Sequence, residues 1–225
     1  MTQTAWVEEL AWAQGLISPD PAERAVALAR HARARGETEV AFERLHEGPF
    51  PRLLFGIRMR AYQAAAARCF PGALWSRSDY ARGEIGTWPR LPLALLFLEW
   101  EARFPQEWTE HAKDWGAKRV LIRDVAATRH DQALRAKLVD LVELAVQRPY
   151  RCKDREYVRV ARAVDGDDLR DRLRRAQRSE SPAAQLHASY VLRILDHPET
   201  PNTRHVWRTW LADRPALERQ GTSGP

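Results

Sequence analysis

Nowhere in this 225-residue chain do β-branched or aromatic side chains alternate with polar ones over a strand-length window. That constrains the fold more than any other feature, because a half-buried strand needs a period of two. Apolar residues instead recur three and four apart, between prolines and glycines. The chain reads as helix, short break, helix, and the predicted class is all-α.

The punctuation places the segments. Ser18-Pro19-Asp20-Pro21 supplies a cap and first-turn prolines for a helix that runs to Arg35 and stops at Gly36. Glu37 to His46 and Leu53 to Phe70 follow, the latter ended by Pro71-Gly72. Residues 71–92 form an irregular insertion, in which only a short helix from Leu74 to Ala81 fits. Beyond it the segments are Leu93 to Phe104, Glu107 to Trp115 (stopped by Gly116), Lys118 to Thr128 and Gln132 to Arg148. Lys153 to Val164, Asp167 to Arg178, a helix opened by Ser181-Pro182, and Asn202 to Ala212 complete the series. This gives about ten helices joined by short breaks, in one helical domain over 1–215 with a disordered tail at 216–225.

Composition excludes several classes. With 44% hydrophobic residues and nine tryptophans, the chain is too apolar for intrinsic disorder. The longest non-polar run, Leu91 to Leu98, is far short of the roughly 20 residues that span a bilayer. Met1 to Glu9 lacks a basic region followed by an apolar one, so no secretory signal is expected. Cys69 and Cys152 alone make neither a disulfide framework nor a zinc site. A cytoplasmic, bacterial protein without membrane, metal or cofactor is the expectation, the bacterial source resting on an arginine usage typical of GC-rich genomes.

Asp20-Pro21-x-x-Arg24-x-x-Ala27-Leu28 and Ser181-Pro182-Ala183-x-x-Leu186-x-Ala188 resemble the first helix of HEAT-like repeats, with a turn proline, a polar or basic position and a small residue in the packing seam. The resemblance covers the two ends of the chain, and the 71–92 insertion breaks any period. It implies a right-handed α-solenoid of stacked antiparallel helix pairs, in which each pair contacts only its neighbours. A compact irregular helical bundle is the alternative.

The basic excess has a location. Of 36 basic residues 32 are arginine, a side chain that stays charged and forks onto phosphate. Between Arg148 and Arg178 stand 11 basic and six acidic residues, whereas the rest of the chain holds 25 basic and 24 acidic ones. At about 100° per residue, Arg151, Arg155, Arg159 and Arg162 fall within a sector of roughly 80°. Arg170, Arg174 and Arg178 form a second row at i, i+4, i+8, with Leu169, Leu173 and Ala176 turned inward. Two rows on one surface would track a nucleic acid backbone and release counterions from it. The competing account is a solvated face laced by the pairs Asp168–Arg172, Asp171–Arg175, Glu156–Arg159 and Asp167–Arg170.

Catalytic signals are sparse. The seven histidines show no i, i+3 or i, i+4 pairing. The sequence has no phosphate-binding glycine loop and no nucleophile elbow. Some alkylpurine DNA glycosylases are built from HEAT-like repeats and use a basic concave face with Trp and Asp at the lesion. Trp108, Asp114 and Trp115, followed by Lys118, Arg119 and Arg123, are similar in composition but match no catalytic motif residue by residue. Packing between helices is the ordinary role of Trp100, Trp108 and Trp115. The function expected is a non-enzymatic protein that contacts nucleic acid through Arg151, Arg155, Arg159, Arg162, Arg170, Arg174 and Arg178. A protein scaffold using Trp75, Tyr80 and Trp88 as an exposed patch is the first alternative, and a DNA glycosylase with Asp114, Trp108 and Trp115 the second.

Overall fold

The computed structural model describes residues 10–47, 52–75 and 84–221, and no strand occurs among them. The chain divides into two compact units, Met1–Asp114 and Trp115–Pro225.

In the first unit a 3-10 turn, Ala11–Ile17, leads into α1 (Pro21–His46) and α2 (Arg52–Arg68). Two more 3-10 turns, Gly72–Trp75 and Ile85–Thr87, precede α3 (Leu91–Arg103) and α4 (Pro105–His111). The helix expected over Leu74 to Ala81 falls mostly outside the described residues. Asp20 caps α1 by accepting a hydrogen bond from the Ala22 N–H at 2.9 Å, with Pro21 at the first helical position. Arg24 holds this end in place. Its guanidinium donates to the Ser18 and Pro19 carbonyls, pairs with Glu107 of α4 and lies 4.1 Å over the Phe104 ring.

Gly36, expected as a stop, sits inside α1 instead. A mid-helix glycine costs about 1 kcal/mol relative to alanine, and local bonds span it. Arg35 pairs with Glu39 at 2.8 Å, and the Thr38 hydroxyl donates back to the Ala34 carbonyl. The core centres on α3, where every residue from Leu93 to Ala102 is buried, Glu99 and Glu101 included, and Glu99 pairs with Arg103 at 2.7 Å. Phe70 and Trp108 pack against its Phe97 and Trp100, all four fully buried.

The second unit runs α5 (Trp115–Ala127), α6 (Gln132–Val146), a 3-10 turn Asp154–Glu156, α7 (Tyr157–Ala163), α8 (Asp167–Gln177), α9 (Pro182–Asp196) and α10 (Arg204–Gly221). Gly116, read as the end of a helix, is the second residue of α5, a first-turn position with no preceding helical bond to break. Asp131 caps α6 through the Leu134 N–H, and Ser181 caps α9 through the Ala184 N–H. α5 packs on α7, α6 on α7 and α8, and α9 on α6, α7 and α8. Arg172 of α8 ties this stack together with hydrogen bonds to Asp140 and Glu143 of α6 and to Asp168. α10 reaches into the 216–225 segment expected as a tail, whose last four residues lie outside the described ones.

The helix expected from Lys153 begins four residues later. Lys153 has φ 70°, in the left-handed region that a lysine seldom occupies, and the 3-10 turn separates it from α7. The neighbouring carboxylate fixes this backbone. Asp154 accepts from Lys118 Nζ at 2.6 Å, from both Nη atoms of Arg148 at 2.7 and 3.1 Å, and from the Arg151 N–H at 2.7 Å.

Candidate anion-binding groove

α8 and α9 are packed by Leu169, Leu173 and Ala176 on one side and Ala184, Ala188 and Val191 on the other, all buried. Outside this seam the helices leave a groove of about 530 Å³. Its lining includes Arg170 and Arg174 of α8, Arg178 just past the end of that helix and Arg193 of α9, against a single carboxylate, Asp196. Gln177 and Ser189 bridge the two helices at 3.0 Å, and Leu192 and His197 complete the lining.

The second arginine row is therefore assembled as helical periodicity predicts. Its members stand about 6 Å apart along the axis, at 1.5 Å per residue. Their roles differ. Arg170 is held by a two-pronged pairing with Asp165 at 2.8 and 2.9 Å and by Asp196 at 2.7 Å. Those bonds, first to Asp165 and then to Asp196, raise its pKa further, so its charge is permanent. Arg174 pairs with Asp171 at 2.8 Å in an exposed bond, a type worth little in water. Arg178 and Arg193 are exposed, and their guanidiniums have no hydrogen-bond or ion-pair partner among the described residues. The groove thus has one fixed guanidinium and three that are available to an incoming anion.

The first row does not line this groove. Arg151 and Arg155 precede α7, so the four residues do not share a regular helix face. Arg151 lies 5.4 Å over the Trp115 ring. Arg155 lines a separate cavity of about 50 Å³ among Tyr150, Tyr157, His187, Tyr190 and Trp207. Arg159 pairs with Glu156 at 3.0 Å, and Glu156 also takes a two-pronged contact from Arg123. Arg162 is half-buried and donates to the Thr200 carbonyl. Of the four pairs expected on the solvated face, Asp168–Arg172 and Glu156–Arg159 form. Asp171 bonds Arg174 rather than Arg175, and Arg170 bonds Asp165 and Asp196 rather than Asp167.

The remaining candidates are scattered. Trp108 is fully buried in the first unit, edge-on to Phe97 at 5.4 Å. Asp114 is exposed at the end of that unit. Trp115 opens α5 in the second unit, beside the ammonium of buried Lys118. Trp88 is 3% exposed, so it offers no docking surface. Tyr80 and the Trp75 side chain lie outside the described residues. Sequence reasoning missed Arg193, which shares a face of α9 with Ser189 and Asp196 at i, i+4, i+7 spacing. Among the described residues no three His, Cys, Asp or Glu side chains are grouped to hold a metal ion, and no helix is long and apolar enough to cross a membrane.

Compared with known protein families, curated proteins and solved structures, the chain matches none of them.

Proposed function

We propose that this protein binds the phosphate backbone of a nucleic acid in the α8–α9 groove, without catalysis, and acts in the cytoplasm. The observation that carries this is the convergence of Arg174, Arg178 and Arg193, three exposed guanidiniums beside a fourth held fixed by two aspartates. The 6 Å step of the α8 row is comparable to the spacing of successive phosphates on an extended strand. Guanidinium forks suit phosphate oxygens, and contacts of this kind position a strand without reading its sequence. The fold proposal is a HEAT-like stack within the second unit. It is supported by the capped Ser181-Pro182 helix start and by the succession of contacts from α5 to α7 to α9 and from α6 to α8.

A salt titration of single- and double-stranded DNA and RNA by fluorescence anisotropy tests the proposal. With three to four phosphates neutralised, log K should fall with log salt at a slope of about −2 to −4. Arg174→Glu, Arg178→Glu and Arg193→Glu together should abolish binding, while Arg159→Glu should change it little. Absence of binding at low salt, or a slope indifferent to the triple replacement, overturns it.

A further inference from the structure

α1 and α2 pack on each other but leave large apolar side chains uncovered. Val26, Val40 and Phe42 on α1, and Leu54, Phe55 and Ile57 on α2, are 42–59% exposed. Val26 and Val40 share one face of α1, whereas Phe42 lies on another side, 5.7 Å from the Tyr62 ring of α2.

On α1 the uncovered side has a rhythm. Ala22, Val26, Ala29, Arg33, Gly36 and Val40 alternate steps of four and three, the spacing of a two-helix seam. The same rhythm on the opposite side, through Ala27, His31 and Leu45, is the one buried within the unit. Nothing lies within 4 Å of where a Gly36 Cβ would be, so a second backbone has room to approach there.

The flanking charge selects the occupant. From Pro21 to Arg35, α1 carries four arginines and one glutamate. From Gly36 to His46 it carries three glutamates and one arginine, with Glu47 following. A helix with a basic first half and an acidic second half is complementary to itself when reversed. A parallel copy would set like charge against like.

We infer that α1 pairs antiparallel with α1 of a second copy of this chain, forming a two-fold dimer whose seam is Val26, Gly36 and Val40. The contact is isologous, so the same patch serves both partners and the assembly closes at two.

Two charge variants test this. One carries Arg30→Glu and Arg33→Glu; the other carries Glu37→Arg and Glu43→Arg. All four positions are exposed, so the fold is under no threat, and far-ultraviolet circular dichroism checks it. Sedimentation velocity is run on wild type, each variant and their equimolar mixture from about 1 to about 100 μM. Wild type should shift with concentration toward twice the 25.9 kDa chain mass. Each variant alone should stay monomeric, because its two halves now carry like charge. The mixture should dimerise again, because each half faces its opposite. Val26→Ser with Val40→Ser should lose the dimer without any change of charge. A wild type that is monomeric throughout, variants that dimerise alone, or a mixture that stays monomeric would each overturn the inference.

Discussion

His31 offers the sharpest test of the first unit. It is 2% exposed on the inner side of α1, 5.7 Å from the Trp100 ring and 6.1 Å from the His111 ring. Its Nδ1 has no hydrogen-bond partner. Burial, then the nearby His111 and Arg35, lowers its pKa from 6.5 to about 4, although a hydrogen bond to the Phe70 backbone works in the other direction. In the unfolded chain the same imidazole titrates near 6.5. Between these values the unfolded state binds a proton that the folded state refuses. This contribution to stability is therefore fully present above about pH 6.5 and declines as the pH falls toward 4. Each pH unit across the window is worth about 1.4 kcal/mol, so the whole shift amounts to about 3 kcal/mol. His31→Phe keeps a ring of similar shape, removes the titration and forfeits the Phe70 bond, at about 1 kcal/mol. Urea denaturation of both proteins from pH 7.5 to 4.5, followed by tryptophan fluorescence, should give crossing curves. The variant should be the less stable at neutral pH and the more stable at pH 4.5. Parallel curves would mean that His31 takes up its proton at the same pH folded and unfolded, and the burial account would fail.

Other replacements probe single contacts. Lys118→Met leaves the buried Asp154 carboxylate with Arg148 and the Arg151 N–H alone, and should cost about 3 kcal/mol by chemical denaturation. Gly15→Ala should cost about 1–3 kcal/mol, because its Cβ would stand 2.9 Å from the Ala27 Cβ; Ala27→Gly in the same chain should recover part of the loss. Gly36→Ala meets open space in the single chain and should raise helix stability by about 0.5–1 kcal/mol, read as a higher melting temperature in a dilute sample. Lys153→Gly relieves a left-handed lysine and should be neutral or stabilising by up to about 1 kcal/mol in the same assay.

Local chemistry was legible along the chain. The caps at Asp20 and Ser181, the apolar run Leu91 to Leu98 that opens α3 and the arginine row of α8 each depend on residues within a turn or two of one another. Helical geometry applies to them before any tertiary contact forms. Gly36 was misjudged because a glycine's cost is small enough for neighbouring bonds to override it, and Gly116 because a glycine can open a helix as well as close one. The turn at Lys153 escaped notice because a carboxylate clasped by Lys118, 36 residues away, holds it.

Sequence alone thus determined the helical class, most helix starts and the location of the charge excess. Which arginines remain available was decided only by the tertiary structure. Arg159 and Arg170 belong to equally basic stretches, yet Glu156 neutralises one, and Asp196, brought in from 26 residues away, helps fix the other. Arg193, the one arginine of α9, joined the groove only when α9 packed on α8. Charge is written residue by residue, but its availability is a pairwise property of distance, and distances between remote residues exist only in the folded chain.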